Sequence, residues 1–110
     1  MGTPAPQGDP FEALGDPHRR AILELLAGHV RSVREIADQL PISRPAVSRH
    51  LRLLKEAGLV ADEAVGTRRL YRLQEAGIAA VQAYLERVWG EAARRFTLLA
   101  ENTGSRTRPR

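Results

Sequence analysis

The middle of the chain carries basic and hydroxyl side chains whose spacing suits nucleic-acid binding. At about 100° per residue, one face of a helix there consists of Arg44, Pro45, Ser48, Arg49 and Arg52. That face contains no acidic residue. Arginine can bond guanine O6 and N7 through two hydrogen bonds, and a serine hydroxyl can bond a base or a phosphate. The alternative interpretation is an ordinary surface helix whose arginines confer solubility.

The opposite face of this helix is aliphatic, and it predicts how the helix is held. Val47, Leu51 and Leu54 recur at i, i+4 and i+7, which is the spacing of a buried helical stripe. Ser43 is the predicted N-cap and Gly58 the predicted stop. Because the major groove of B-DNA is about 12 Å wide and admits one α-helix, a helix anchored in this way can present its arginines to a duplex.

A second helix precedes this one at close range. Ser32 and Glu35 form an S-x-x-E capping box that predicts its start. Pro41 predicts its end at Leu40, because a proline ring clashes with the preceding helical turn. Only Pro41 and Ile42 then separate this helix from the N-cap of the next one. The spacing therefore indicates a helix-turn-helix.

After Gly58 the hydrophobic period changes from about 3.6 residues to nearer 2. The segments LVADEAV and RRLYRL are predicted strands joined around Gly66 and Thr67, which makes a β-hairpin. Thr67, Arg68 and Arg69 lie at its tip. Neighbouring strand residues point to opposite faces, so we expect at most one of the two arginines to aim at a groove. We expect the tip to contact phosphate or the minor groove; the alternative is a mobile charged loop.

Both ends of the folded region are predicted to be helical. Asp9-Pro10 and Asp16-Pro17 each place a capping side chain before a proline at the first helical position, which predicts two opening helices. A long helix is predicted over residues 75–101, and its length of about 40 Å is more than so small a domain can bury alone. Its apolar residues follow alternating three- and four-residue steps, interrupted by Arg95.

The composition limits the class of protein. The chain has 110 residues, a formal charge of +4, 43% hydrophobic residues and no cysteine. It can therefore hold one small core, and disulfides, thiolate metal sites and cysteine nucleophiles are excluded. No apolar run reaches the roughly 18 residues of a membrane span. Residues 44–73 carry seven basic and three acidic residues, so the positive charge is concentrated in the region of the two predicted DNA-facing elements.

These features predict how the chain is organised. We expect a disordered N-terminal tail over residues 1–8, one domain over residues 9–101, and a basic disordered tail over residues 102–110 that either adds non-specific DNA affinity or is a solvated end. The start of the chain lacks the basic and apolar regions of a secretory signal, so we expect a cytoplasmic protein. The sequence contains no Gly-rich phosphate loop and no suggestive Ser/His/Asp set, so we expect neither an enzyme nor a cofactor.

The runs ALGDPHRRAILELL, IADQLPISRPAVSRHLRLLKEAGLV and GTRRLYRL resemble the ArsR-type winged helix-turn-helix repressors of bacteria, over about Phe11 to Leu99. The resemblance implies a mainly α fold with a small β-hairpin, a homodimer, a palindromic operator in double-stranded DNA, and repression of transcription. It also implies base-reading positions for Arg44, Pro45, Ser48 and Arg49. The alternative is a winged-helix protein-interaction module that no longer binds DNA.

The resemblance assigns dimerisation to the opening helices and the last helix. The residues expected at that interface are Phe11, Leu14, Ile78, Val81, Leu85, Val88, Trp89 and Phe96. Many members of the family sense metals through a Cys-x-Cys pair or through Asp, His and Glu ligands on the last helix. This chain has no cysteine, and His18, His29 and His50 are far apart in the sequence and absent from the last helix. We therefore expect no metal site, while the existence of an organic effector and the choice between repression and activation stay open.

Overall fold

The computed structural model describes the backbone of residues 7–107 and the side chains of residues 7–101. Residues up to Ala80 form one compact unit, and the residues from Val81 onward form a second. The predicted tails, residues 1–8 and 102–110, lie partly outside the described residues. Within the described part of the chain, no helix combines the length and the apolar composition needed to cross a membrane.

The first unit opens with two helices, α1 (Pro10–Ala13) and α2 (Pro17–Leu26). An aspartate caps each of them, as the sequence predicts. The Asp9 carboxylate accepts a hydrogen bond from the backbone N–H of Phe11 at 2.9 Å. Asp16 Oδ1 accepts from the backbone N–H groups of His18 and Arg19 at 2.8 and 3.1 Å. These N–H groups have no partner inside a helix, so the two carboxylates fix where each helix begins.

The predicted helix-turn-helix is confirmed, with α3 at Val33–Gln39 and α4 at Arg44–Glu56. Both bonds of the capping box form: Ser32 N–H donates to Glu35 Oε1 at 2.8 Å, and Glu35 N–H donates to Ser32 Oγ at 3.2 Å. At the second helix, Ser43 Oγ accepts from the backbone N–H of Ala46 at 3.2 Å. The sequence therefore defines both helix starts through bonds that span only three residues.

The predicted hairpin is also confirmed, and it belongs to a sheet of three strands. Strands β2 (Val60–Val65) and β3 (Arg68–Leu73) pair antiparallel, and we call this hairpin the wing. Gly66 in its turn has a φ of 64°, which residues with a side chain rarely adopt. A short strand β1 (Arg31–Ser32) pairs antiparallel with β3 and gives the order β1-β3-β2. The sequence does not predict β1, because two residues are too few to show an alternating pattern.

The core of the first unit forms where α4 meets α2, α3 and the beginning of the wing. Val47, Leu51 and Leu54 are 0% exposed, which confirms the predicted stripe of α4. The other fully buried large side chains are Ile22, Ile36, Leu59 and Val60. Burying an aliphatic side chain of this size stabilises a fold by about 1.5–3 kcal/mol. Three such residues on one face hold α4 firmly while its other face stays in solvent.

Two residues of the predicted N-terminal tail contact the end of α4. The backbone N–H groups of Gln7 and Gly8 both donate to the carbonyl oxygen of Glu56, at 2.9 and 2.7 Å. The last carbonyls of a helix have no partner within the helix, so this segment caps the C-terminus of α4. Gln7 and Gly8, which the sequence predicts to lie in the N-terminal tail, are thus hydrogen-bonded to the first unit.

The C-terminal helix differs from the predicted single α-helix in two ways. Its segments are α5 (Glu75–Leu85), a π-helical turn (Glu86–Gly90) and α6 (Glu91–Thr107). The helical backbone passes the predicted end at residue 101 and reaches Thr107. The π-helical turn is the second difference.

The π-helical turn changes which side chains share a face of the second unit. A π turn takes about one extra residue, so side chains beyond it lag by roughly 100°. Arg95 follows Leu85 by ten positions. In an unbroken α-helix the two side chains would point about 80° apart around the helix axis. With the π-helical turn between them they point to nearly opposite sides. Within α6, Arg95 pairs with Glu91 at 3.1 Å. Because Ala92, Arg95 and Leu99 all follow the turn, their positions relative to one another are those of an ordinary α-helix, and Arg95 still interrupts the apolar pattern there.

Candidate nucleic-acid interface

The surface of α4 has the side chains that the sequence predicts for a DNA-facing helix. Every residue of the predicted base-facing set is exposed: Arg44, Pro45, Ser48, Arg49 and Arg52. The side of the helix that carries the aliphatic stripe is buried completely. Arginine offers five hydrogen-bond donors in a planar arrangement. The exposed face therefore combines positive charge with directional donors, and a fixed core holds it in place.

A cluster of two histidines and an aspartate lies behind this face. The rings of His18 and His50 have their centroids 5.9 Å apart, and with Asp16 their ligand atoms lie within 4.8 Å of one another. His18 and His50 are far apart in the sequence, and the helical pattern alone does not show that the start of α2 packs against the middle of α4. The fold corrects the expectation that they lie apart.

The hydrogen bonds of this cluster make it a poor metal site. Arg19 Nη1 lies 3.4 Å from His50 Nδ1, and a guanidinium can only donate. A metal-bound histidine normally donates its second ring N–H to an acceptor, which the Arg19 guanidinium cannot be. Burial lowers the pKa of His50, and the neighbouring charge of Arg19 acts in the same direction. The neutral imidazole is therefore a packing and hydrogen-bonding element of α4.

The wing arginines are both paired with acids of the same chain, and the sequence does not predict these pairs. Arg68 Nη2 lies 3.1 Å from Oε1 of Glu35, the capping-box residue of α3. Arg69 Nη1 lies 2.9 Å from Asp62 Oδ2. The two arginines reach different partners because consecutive strand residues point to opposite faces, as expected. Thr67, which lies in the turn between Gly66 and Arg68, is exposed.

Asp62 has the least exposed side chain of these pairs. Its Oδ1 accepts from Lys55 Nζ at 2.8 Å, and its side chain is 7% exposed. Burial by itself would raise the pKa of Asp62, but the hydrogen bonds from Lys55 and Arg69 outweigh that effect and lower it. The carboxylate is therefore ionised and bonded on both oxygens. One signal in the sequence was available: aspartate is disfavoured inside a strand, yet Asp62 stands within one.

The residues predicted for dimerisation fall into two groups. Leu14 and Ile78 are half-buried and pack against the core of the first unit, whereas Phe11 is exposed. In the second unit Val81 is half-buried. The other predicted residues of this unit are exposed: Leu85, Val88, Trp89 and Phe96. Three further apolar residues that the prediction does not include are exposed as well: Tyr84, Leu98 and Leu99. Exposed apolar side chains at this density are typical of an interaction surface.

The helix-turn-helix region matches a known family. Residues 16–62 match the bacterial regulatory protein family arsR. Two curated relatives extend the similarity. The HTH-type transcriptional regulator Rv2034 of Mycobacterium tuberculosis is 46% identical over 97 residues, which cover 88% of this chain and 91% of that protein. The transcriptional repressor SdpR of Bacillus subtilis is 41% identical over 63 residues, which cover 57% of this chain and 70% of that protein.

Solved structures agree with this assignment. The crystal structure of a possible transcriptional regulator for arsenical resistance has a TM-score of 0.70 and 37% identity, and the match covers 82% of this chain and 94% of that one. The homodimeric winged helix-turn-helix DNA-binding domain of a possible ArsR-family regulator from Mycobacterium bovis has a TM-score of 0.60 and 34% identity, over 74% of this chain and 76% of that one. This chain therefore belongs to the bacterial arsR family of winged helix-turn-helix transcriptional regulators, which are DNA-binding proteins and not enzymes.

Proposed function

We propose that this chain is a homodimeric repressor that binds a palindromic operator, with α4 of each protomer in a major groove and the wing against the adjacent backbone. The observation that carries the proposal is the division of α4 into a fully buried aliphatic stripe and an exposed face of arginine, serine and proline without an acid. A helix that lies in a groove needs both faces, since rigid packing fixes its position and free donors bind the bases.

The roles we assign follow the position of each residue. Arg44, Pro45, Ser48 and Arg49 lie in the first half of α4, the part of a recognition helix that meets base edges in helix-turn-helix docking. Arg52 lies one turn further along the same face, where phosphate contact is expected. Thr67 and Arg68, at the wing tip, are assigned to the backbone or the minor groove. Arg69 belongs to the predicted set as well, although its guanidinium is paired with Asp62.

A homodimer is supported by the exposed apolar side chains of the second unit and by the homodimeric relative. We assign the interface to the exposed members of the predicted set, and to Val81 beside them, while Leu14 and Ile78 serve the core of their own unit. Two protomers would place their recognition helices about 34–36 Å apart, one turn of DNA. Repression is supported by SdpR, which is named a repressor. Such a regulator acts on chromosomal DNA, so we expect it in the cytoplasm.

Fluorescence anisotropy with the DNA upstream of the protein's own gene tests the proposal. If each protomer neutralises about three to five phosphates, log K falls with log salt with a slope near −5 to −9. We expect tighter binding to this DNA than to random DNA of equal length at about 200 mM salt, and a dimer in analytical ultracentrifugation. Equal binding to both duplexes contradicts sequence-specific repression, and undetectable binding to either favours a protein-interaction module.

A further inference from the structure

One carboxylate of the wing joins two cations that come from different elements. Asp62 in β2 is bonded to Lys55 Nζ through Oδ1, at 2.8 Å, and to Arg69 Nη1 through Oδ2, at 2.9 Å. Lys55 lies in the last turn of α4, and Arg69 lies near the start of β3. The Asp62 side chain is 7% exposed, whereas both cations are 55% exposed. A single buried group therefore links the recognition helix to the wing.

The two cations are harder to release than the other wing arginine. A carboxylate whose side chain is only 7% exposed has lost most of its hydration and needs a partner on each oxygen. If Lys55 or Arg69 turned toward a DNA phosphate, one oxygen of Asp62 would lose its partner inside the protein. Arg68 differs, because the side chain of its partner Glu35 is 47% exposed, so water can replace the arginine when it leaves.

We propose that Asp62 is a positioning residue for DNA binding, which sets the angle of the wing against the recognition helix and withholds Lys55 and Arg69 from the DNA backbone. This inference rests on the proposed function and refines it. Arg68 is the wing cation that binds DNA. Arg69, for which the sequence predicts a DNA contact, instead holds the wing in place.

The test compares Asp62→Asn with Asp38→Asn, a control that removes the same charge from an exposed position of α3. Asp62→Asn frees two cations, so we expect several-fold tighter binding to random DNA and a salt slope steeper by about one per added phosphate contact. The loosened wing lowers the ratio of operator affinity to random-DNA affinity at least fivefold. Asp38→Asn changes both affinities by the same factor. A ratio that Asp62→Asn leaves unchanged overturns the proposal.

A second pair of variants decides the matter if Asp62→Asn does not fold. Arg69→Gln should leave the salt slope on random DNA unchanged, because Arg69 makes no phosphate contact. Arg68→Gln should reduce that slope by about one per protomer. A slope reduced equally by both variants overturns the proposal. If the wild-type chain shows no preference for its operator, the proposed function is refuted instead. The salt slopes of Arg69→Gln and Arg68→Gln on random DNA still show, in that case, whether Arg69 is withheld from the DNA backbone.

Discussion

The guanidinium of Arg19 in α2 lies 3.4 Å from Nδ1 of His50 in the recognition helix. The same guanidinium donates from Nε to the carbonyl of Ala13 at 2.8 Å and from Nη2 to the carbonyl of Glu12 at 3.3 Å. One side chain therefore ties the end of α1 to the middle of α4. Because guanidinium is always a donor, His50 accepts on Nδ1 and, when neutral, carries its proton on Nε2.

We expect Arg19→Lys to destabilise the first unit, since an ammonium group cannot reproduce three bonds that diverge from a planar fork. The loss should be about 1–3 kcal/mol in the free energy of unfolding, measured by urea denaturation. Arg34→Lys, at an exposed position of α3, is the control and should change that energy by less than about 0.5 kcal/mol. Equal stability of the two variants would show that the fork geometry is unimportant.

The stability of the chain should depend on the protonation of His50. Burial lowers the pKa of His50 from 6.5, and the charges of Arg19, His18 and Arg49 add to that effect, while Asp16 opposes it. Protonation therefore favours the unfolded chain. The stabilising contribution is complete above pH 6.5, the ordinary value, and it is lost as the pH falls through the lowered value of the folded state.

Urea denaturation at about pH 7.5 and pH 5 measures this dependence, and His50→Gln should reduce it. The carboxylates whose pKa values are shifted do not affect the comparison between about pH 7.5 and pH 5. The pKa values of Asp16, Glu35 and Asp62 are all lowered from ordinary values of 3.8 to 4.5, so their contributions to stability are lost mainly below pH 4.5. A His50→Gln variant with the full wild-type dependence between pH 5 and 7 would assign the effect to another group.

Arg49 and Arg68 should differ in what they contribute to DNA binding. Arg49→Ala should cost about 1–3 kcal/mol on the operator and relax the preference at one base pair in each half-site, because a base contact is lost. Arg68→Ala should weaken binding to all sequences alike and reduce the salt slope by about one per protomer. Binding to a library of singly substituted operators separates the two effects, and a uniform loss with Arg49→Ala would move Arg49 to the phosphate backbone.

Glu35 should weaken DNA binding, because it competes with phosphate for Arg68. Both side chains are about half-exposed, and such a pair is worth about 0–1 kcal/mol, so Glu35→Gln should tighten binding by up to about fivefold. Glutamine keeps the capping box, which leaves the start of α3 intact. Glu63→Gln, at an exposed position of β2, controls for net charge. If Glu35→Gln still tightens DNA binding in a chain that also carries Arg68→Ala, the tighter binding cannot come from competition for Arg68.

Local signals predicted most of this fold and the chemistry of α4. The starts of α1, α2, α3 and α4 are each set by a side chain that bonds an N–H two or three residues away, and the stripe of α4 is set by its own period. The pairs that modify the site depend on distant elements. Asp62 meets Lys55 only because β2 folds back along α4, and Glu35 meets Arg68 only because the unpredicted strand β1 pairs with β3.

The start of α5 packs so closely on the end of α4 that only glycine fits at position 77. The backbone N–H of Gly77 donates to the carbonyl of Gly58 at 2.7 Å, and an added Cβ would lie 2.5 Å from the carbonyl oxygen of Ala57. Gly77→Ala should therefore cost about 1–3 kcal/mol in stability through forced backbone movement, although alanine favours helix by about 1 kcal/mol. Gly28→Ala, where the Cβ would meet nothing within 4 Å, should be close to neutral. Thermal denaturation of both variants measures the difference, and a Gly77→Ala protein as stable as wild type would mean that α5 can shift away without loss.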